Sequence, residues 1–294
     1  MREKERLRFV AILPSAITLL NGLFGFCAIL IASQEPHLSF SFPLLPRGFM
    51  SYPAISAWLI IFSMIADALD GSVARASGYT SGFGAQLDSL SDAVSFGVAP
   101  ALISYKMFAI KVAELRGNET RFANLISRWV LFAAIFYAMC ALVRLARFNV
   151  ETDDEEASHM NFSGLPSPAA AGLIISLVLF HEEFASSSNF ITRLSFASSP
   201  LPRIFETVSM WCLPFALMLA GVLMVSRVTY PHFVNQMLRS RKPFTLLPLM
   251  LFLGLFIVWT INISLLIVFL SFCLYGLVRW LVNLPGREKH GEGH

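Results

Sequence analysis

Four aspartates carry the chemistry this sequence can do. They sit in D-A-L-D-G-S-V-A-R, then eight residues, then G-A-Q-L-D-S-L-S-D, which places Asp67 and Asp70 three apart and Asp88 and Asp92 four apart. On helices, each spacing puts a pair on one face. The surroundings are strongly apolar, and one aspartate at a bilayer centre costs roughly 2.5 to 3.5 kcal/mol on insertion scales. Four such groups need cationic partners, and a pair of divalent metal ions is the simplest. Oxygen-only ligands favour hard ions, magnesium or manganese, with calcium also compatible. Paired metals stabilise the attacking and leaving oxygens of a phosphoryl displacement. Gly71 and Ala74 follow on the same helix and Gly84 opens the next, small residues that let a flat base or a pyrophosphate approach the backbone. Arg75 can take a phosphate by a forked contact. These residue types describe a pocket for a pyrophosphate and metal.

The elements that hold this pocket must be membrane helices. Of 294 residues, 56% are hydrophobic and only 14% charged, against about 25% charged in a soluble domain. The apolar residues fall in blocks of about 20, enough to cross a bilayer as helix. The reading is all-α: a polytopic helical bundle forming a single membrane domain over 1–294. Eight spans are expected: Pro14 to Ser33, Tyr52 to Arg75, Gly84 to Met107, Ser127 to Arg147, Pro168 to His181, Glu206 to Ser226, Pro243 to Trp259 and Asn262 to Leu281. With the N-terminus in the cytoplasm, 14 Lys and Arg fall on the cytoplasmic side and 8 on the other. This bias puts both termini inside. Five basic residues between Lys106 and Arg128 run against it, a conflict that an amphipathic or surface-lying piece there would soften. The aspartates then lie just below the cytoplasmic surface, within reach of soluble ligands and lipid headgroups.

Other features exclude more than they assign. The net charge of +3 comes from basic residues between apolar blocks, so no nucleic-acid partner is expected. Cys27, Cys140, Cys212 and Cys273 have no C-x-x-C spacing and read as packed thiols. The apolar run Ile17 to Ser33 is long and lacks a small-residue cleavage pattern, so it reads as a span and not as a cleaved signal. Glu151 to His159 reads as a solvated acidic face, and His159, His181, His232, His290 and His294 as solvated side chains.

The pattern D-x2-D-G-x2-A-R-x8-G-x3-D-x3-D resembles the signature of the CDP-alcohol phosphatidyltransferases. Asp67, Asp70, Gly71, Ala74, Arg75, Gly84, Asp88 and Asp92 fill its fixed positions. The resemblance implies that the aspartates hold two divalent ions and that Asp92 also serves as general base. It implies a six-helix membrane core, usually dimeric. Residues 14–226 would form this catalytic core, and 243–281 an added C-terminal helix pair. Leu87 to Ala101, Arg144 to Asn149, Phe162 to Ala171 and Leu223 to Pro231 are similar to the serine-using members of this family. The implied reaction transfers the phosphatidyl group of CDP-diacylglycerol to the hydroxyl of L-serine and releases CMP. Such an enzyme is expected in the inner cell membrane with its site on the cytoplasmic side. Two alternatives are weighed: another acceptor (glycerol 3-phosphate, inositol phosphate or choline), or a divalent-cation transporter built on the same carboxylates. A transporter needs polar residues across the whole membrane, whereas these carboxylates cluster at one end.

Several residues carry two readings each. Thr18 and Asn21 on the first span either tie helices together or, as the resemblance implies, contact the cytidine or pyrophosphate. Ser81, between the two motif helices, is a turn residue or a nucleotide-phosphate contact. Arg144 and Arg147 either anchor their span at the inner surface or bind the serine carboxylate or lipid phosphate, with Asn149 assisting. Ser163 to Pro168 reads as a stiff turn, placing Ser167 in the acceptor pocket or only starting the fifth span.

Overall fold

The computed structural model describes residues 2–34, 51–77, 82–115, 120–153, 164–185, 200–226, 228 and 260–287. They form an all-α bundle: α1 (Arg2–Ala32), α2 (Tyr52–Ser77), α3 (Gly82–Asp92), a π-helical stretch (Ala93–Val98), α4 (Ala99–Leu115), α5 (Thr120–Asp153), α6 (Ser167–Ala185), α7 (Leu201–Val225) and α8 (Ile261–Arg287). Among the described residues, seven stretches are long and apolar enough to cross a membrane, α3 to α4 counting as one. The expected span Pro243 to Trp259 and Ser81 lie outside the described residues.

Helix packing follows residue size. In lipid no hydrophobic force draws helices together, so close backbone approach by small residues does. Ala28 and Ala32 of α1 and Ala54 and Ala57 of α2 are buried in one core. On the opposite face of contact, a Cβ added at Gly25 would collide with Ser95, and one at Gly22 would stand 3.0 Å from the Ser91 hydroxyl. So α1 lies directly on the stretch that carries Asp88 and Asp92. The central helix is α6, with Ala170, Ala171, Ile174, Ile175 and Val178 fully buried. Phe269 of α8 sits over Gly172 of α6, while most of α8 remains exposed to the surroundings.

A widened turn interrupts the second motif helix just after Asp92. Such π turns inside α-helices leave backbone groups needing partners. Here the buried Tyr137 hydroxyl of α5 donates to the Phe96 carbonyl at 2.9 Å. Before α6 the backbone turns through Gly164, whose φ of 98° lies in the region that favours glycine. Its N–H donates to the Val228 carbonyl at 2.8 Å, and the Leu165 N–H to the Leu223 carbonyl at 3.0 Å. The expected stiff turn therefore docks on the end of α7.

Within Lys106 to Arg128, α4 continues to Leu115 and α5 begins at Thr120. Hydropathy marks where the apolar stretch ends, whereas backbone hydrogen bonding carries a helix past that point. Lys111 on this extension pairs with Glu206 of α7 at 2.7 Å. One expectation is corrected. His181 is buried, not solvated: its Nδ1 lies 3.1 Å from both the Glu206 carbonyl and the Ser209 hydroxyl. The next two residues also reach neighbours, Glu182 to Ser51 just ahead of α2 and Glu183 to Asn262 of α8 at 2.7 Å. Polar side chains at the end of α6 thus tie it to α7, α2 and α8.

Candidate active site

Helical spacing and the close seat of α1 bring the carboxylates together. Asp67 faces α3 from α2, while Asp88 and Asp92 stand one turn apart on α3. Carboxylate oxygens of Asp67, Asp88 and Asp92 all lie within 4.8 Å of one another. Asp92 is buried, and Asp67 and Asp88 are half-buried, so the group opens to one side. Three carboxylates at this separation repel strongly unless a cation stands between them.

Asp70 lies one turn beyond Asp67 and outside this trio. Its Oδ2 accepts a hydrogen bond from the Thr18 hydroxyl of α1. Its Oδ1 is buried and has no hydrogen-bond partner among the described residues. A buried carboxylate oxygen without a donor needs a cation or it costs the full desolvation penalty. The trio and this orphaned oxygen fit the donor set of hard divalent ions.

Asn21 of α1 joins the two halves. Its amide nitrogen donates to Asp92 Oδ1 at 3.0 Å, and its amide oxygen accepts from the Ser63 hydroxyl of α2. The Asn21 carbonyl accepts from Ser95 at 3.0 Å and from Ser63 at 3.2 Å.

The expected acceptor residues fall into two pairs. Arg144 of α5 donates through Nη1 to the Ser167 hydroxyl at the start of α6, at 3.0 Å. Its Nε is buried without a partner among the described residues. Asn149, farther along α5, accepts through Oδ1 from the Ser89 hydroxyl at 2.8 Å, next to Asp88. Arg147 is half-buried and makes contacts of its own. Gly71 and Gly84 are half-buried near the facing ends of α2 and α3. Ala74 and Arg75 lie on α2, but their side chains are outside the described set, as is all of Ser81.

Sequence reasoning missed Ser63, Ser89 and Tyr137. The signal for the serines was present: each is a small polar residue in an apolar stretch, within four positions of an aspartate. A cavity of about 680 Å³ also opens on the bundle, lined by Phe108, Trp129, Phe132, Trp211, Phe215 and Arg128 among others. Arg128 is sixteen residues before Arg144 on α5, so it lies about 24 Å from the acceptor pair along the helix. That cavity contains no carboxylate and stands apart from the site.

The described residues form a bundle of long apolar helices with a cluster of three carboxylates, Asp67, Asp88 and Asp92, set among them. The chain belongs to the CDP-alcohol phosphatidyltransferase family, whose model matches residues 11–282. It is therefore a transferase of phospholipid biosynthesis. The chain is 36% identical to a CDP-diacylglycerol–serine O-phosphatidyltransferase of Helicobacter pylori, over 79% of this chain and 82% of the relative. It is 29% identical to a protein of the same description from Methanocaldococcus jannaschii, over 78% and 79%. It is 30% identical to an archaetidylserine synthase of Methanothermobacter thermautotrophicus, over 79% of this chain and 74% of that one. The family is generally divalent-metal dependent, and this chain carries an acidic cluster of Asp67, Asp88 and Asp92.

Proposed function

We propose that this protein is a CDP-diacylglycerol–serine O-phosphatidyltransferase. The observation that carries the reading is the convergence of Asp67, Asp88 and Asp92 beside the orphaned Asp70 oxygen, within the family signature. For the acceptor, the support is that these relatives differ in lipid but share serine in their printed names.

Asp67, Asp70, Asp88 and Asp92 would hold two divalent ions, magnesium or manganese. Bound there, the ions would supply positive charge to a pyrophosphate and to the departing CMP. Gly71, Ala74 and Gly84 leave the backbone open to the donor, and Arg75 and Ser81 contact its phosphates. Arg144, with Ser167, Asn149 and Arg147 around it, orients serine by its carboxylate. Asp92 accepts the proton of the serine hydroxyl, a poor nucleophile without a base in reach. The serine oxygen forms a bond to the phosphorus next to diacylglycerol. The bond from that phosphorus to CMP breaks, and CMP leaves with the electron pair. Residues 14–226 supply this machinery. The site faces the cytoplasm of the inner membrane, on the support of the Lys and Arg bias, and the family's habit supports a homodimer.

Purified protein is given CDP-diacylglycerol, magnesium or manganese, and a panel of labelled alcohols. Labelled serine should enter the lipid only when the metal is present. Label entering from glycerol 3-phosphate, inositol phosphate or choline, with none from serine, would overturn the acceptor assignment.

A further inference from the structure

We propose that Thr18 and Asn21 are positioning residues through which α1 sets the geometry of the carboxylate cage. They stand three apart on one helix face and each takes one aspartate from a different motif helix. Thr18 holds Asp70 of α2, and Asn21 holds Asp92 of α3. The inference rests on the proposed role of the four aspartates.

Their existing bonds separate this role from nucleotide binding. Thr18 is 2% exposed and Asn21 0%, and the Thr18 hydroxyl and the Asn21 amide are already engaged by Asp70, Asp92 and Ser63. The hydrogen bonds also fix which way the Asn21 amide points. A Ser63 hydroxyl on its oxygen leaves the nitrogen facing Asp92. A donor on Asp92 Oδ1 pins the carboxylate rotamer and leaves Oδ2 for metal or proton. The backbone is held as firmly, because Ser63 of α2 and Ser95 of the π stretch both donate to the Asn21 carbonyl. One residue thus carries the register between the two halves of the motif. The Thr18 bond does for Asp70 what the Asn21 bond does for Asp92: it occupies Oδ2 and turns the unpartnered Oδ1 elsewhere. Partners of this kind behind a metal ligand change metal affinity or activity by about 10- to 100-fold when removed.

Isosteric variants of the full chain test this, with three readouts: manganese affinity by electron paramagnetic resonance, kcat and KM for CDP-diacylglycerol, and melting temperature. Thr18→Val removes the donor and keeps the shape. It should weaken manganese binding about 10-fold or more, and Thr18→Ser should restore it. Asn21→Asp removes the amide donor and keeps the size. It should lower kcat by about 10- to 100-fold with little change in KM for the donor lipid. Should Asn21→Asp fail to fold, Ser63→Ala frees the amide oxygen and should produce a smaller loss of the same kind. A raised KM with kcat and manganese affinity intact would make the two residues nucleotide ligands and overturn the inference. So would a change in melting temperature alone, which would make them helix ties. Asp70→Asn and Asp92→Asn run beside these variants. If both behave as wild type, the site reading itself fails. If they collapse while the Thr18 and Asn21 variants do not, only the present inference fails.

Discussion

Replacing Arg144 by lysine keeps one positive charge and removes the fork. Its Nη1 donates to the Ser167 hydroxyl at 3.0 Å, while its Nε is buried with no partner among the described residues. An arginine held in this way has one donor spent on orientation and one waiting. A serine carboxylate arriving at Nε would satisfy it by a charge-assisted hydrogen bond, worth about 1.5 to 3 kcal/mol. Lysine is a point donor on a flexible stem and cannot hold Ser167 and present a second donor in the same plane. The loss converts, at about 1.4 kcal/mol per tenfold, to a KM for serine raised about 10- to 100-fold. The assay varies labelled serine at saturating CDP-diacylglycerol, then reverses the two. The KM for the lipid should stay where it was. An unchanged KM for serine, with the whole effect on the lipid, would refute the reasoning and assign Arg144 to the lipid phosphate.

Asp92→Asn keeps an oxygen to accept the Asn21 amide, so the fold should survive while turnover falls by about 10²- to 10⁴-fold, the usual contribution of a positioned base; near-normal turnover would put the base elsewhere. Tyr137→Phe strips the donor from the buried Phe96 carbonyl beside the π turn. It should cost about 1 to 3 kcal/mol, seen as a lower unfolding temperature in detergent, and an unchanged temperature would contradict the part given to that bond. Gly164→Ala puts a Cβ against the Met224 carbonyl at a φ of 98°. The yield of monodisperse protein by size-exclusion chromatography should drop sharply, and normal yield would show that the turn before α6 tolerates a side chain.

Much of the site could be read from spacing because helices convert sequence intervals into faces. Spacings of three and four positions between aspartates were enough to pair them. The apolar blocks gave the spans for the same reason. What spacing could not give is contact between helices. The four aspartates look equivalent in sequence, yet the structure groups Asp67, Asp88 and Asp92 and turns Asp70 toward Thr18. That division depends on how closely α1 seats, which the Gly25 contact with Ser95 decides. The π turn after Asp92 has no local signature: Ala93 to Val98 reads as ordinary apolar helix, and the widened turn is matched by Tyr137 from forty-one residues away. His181 misled for a related reason, since a histidine at the end of an apolar run looks solvated until α7 covers it.

The central claim is that the acidic cluster is a divalent-cation cage, and anomalous diffraction from crystals grown with manganese and a CDP-alcohol tests it most directly. The account predicts two manganese peaks enclosed by Asp67, Asp70, Asp88 and Asp92, both absent when Asp88 is replaced by alanine. Manganese-free density at these four side chains, or ions bound only elsewhere on the bundle, would contradict it.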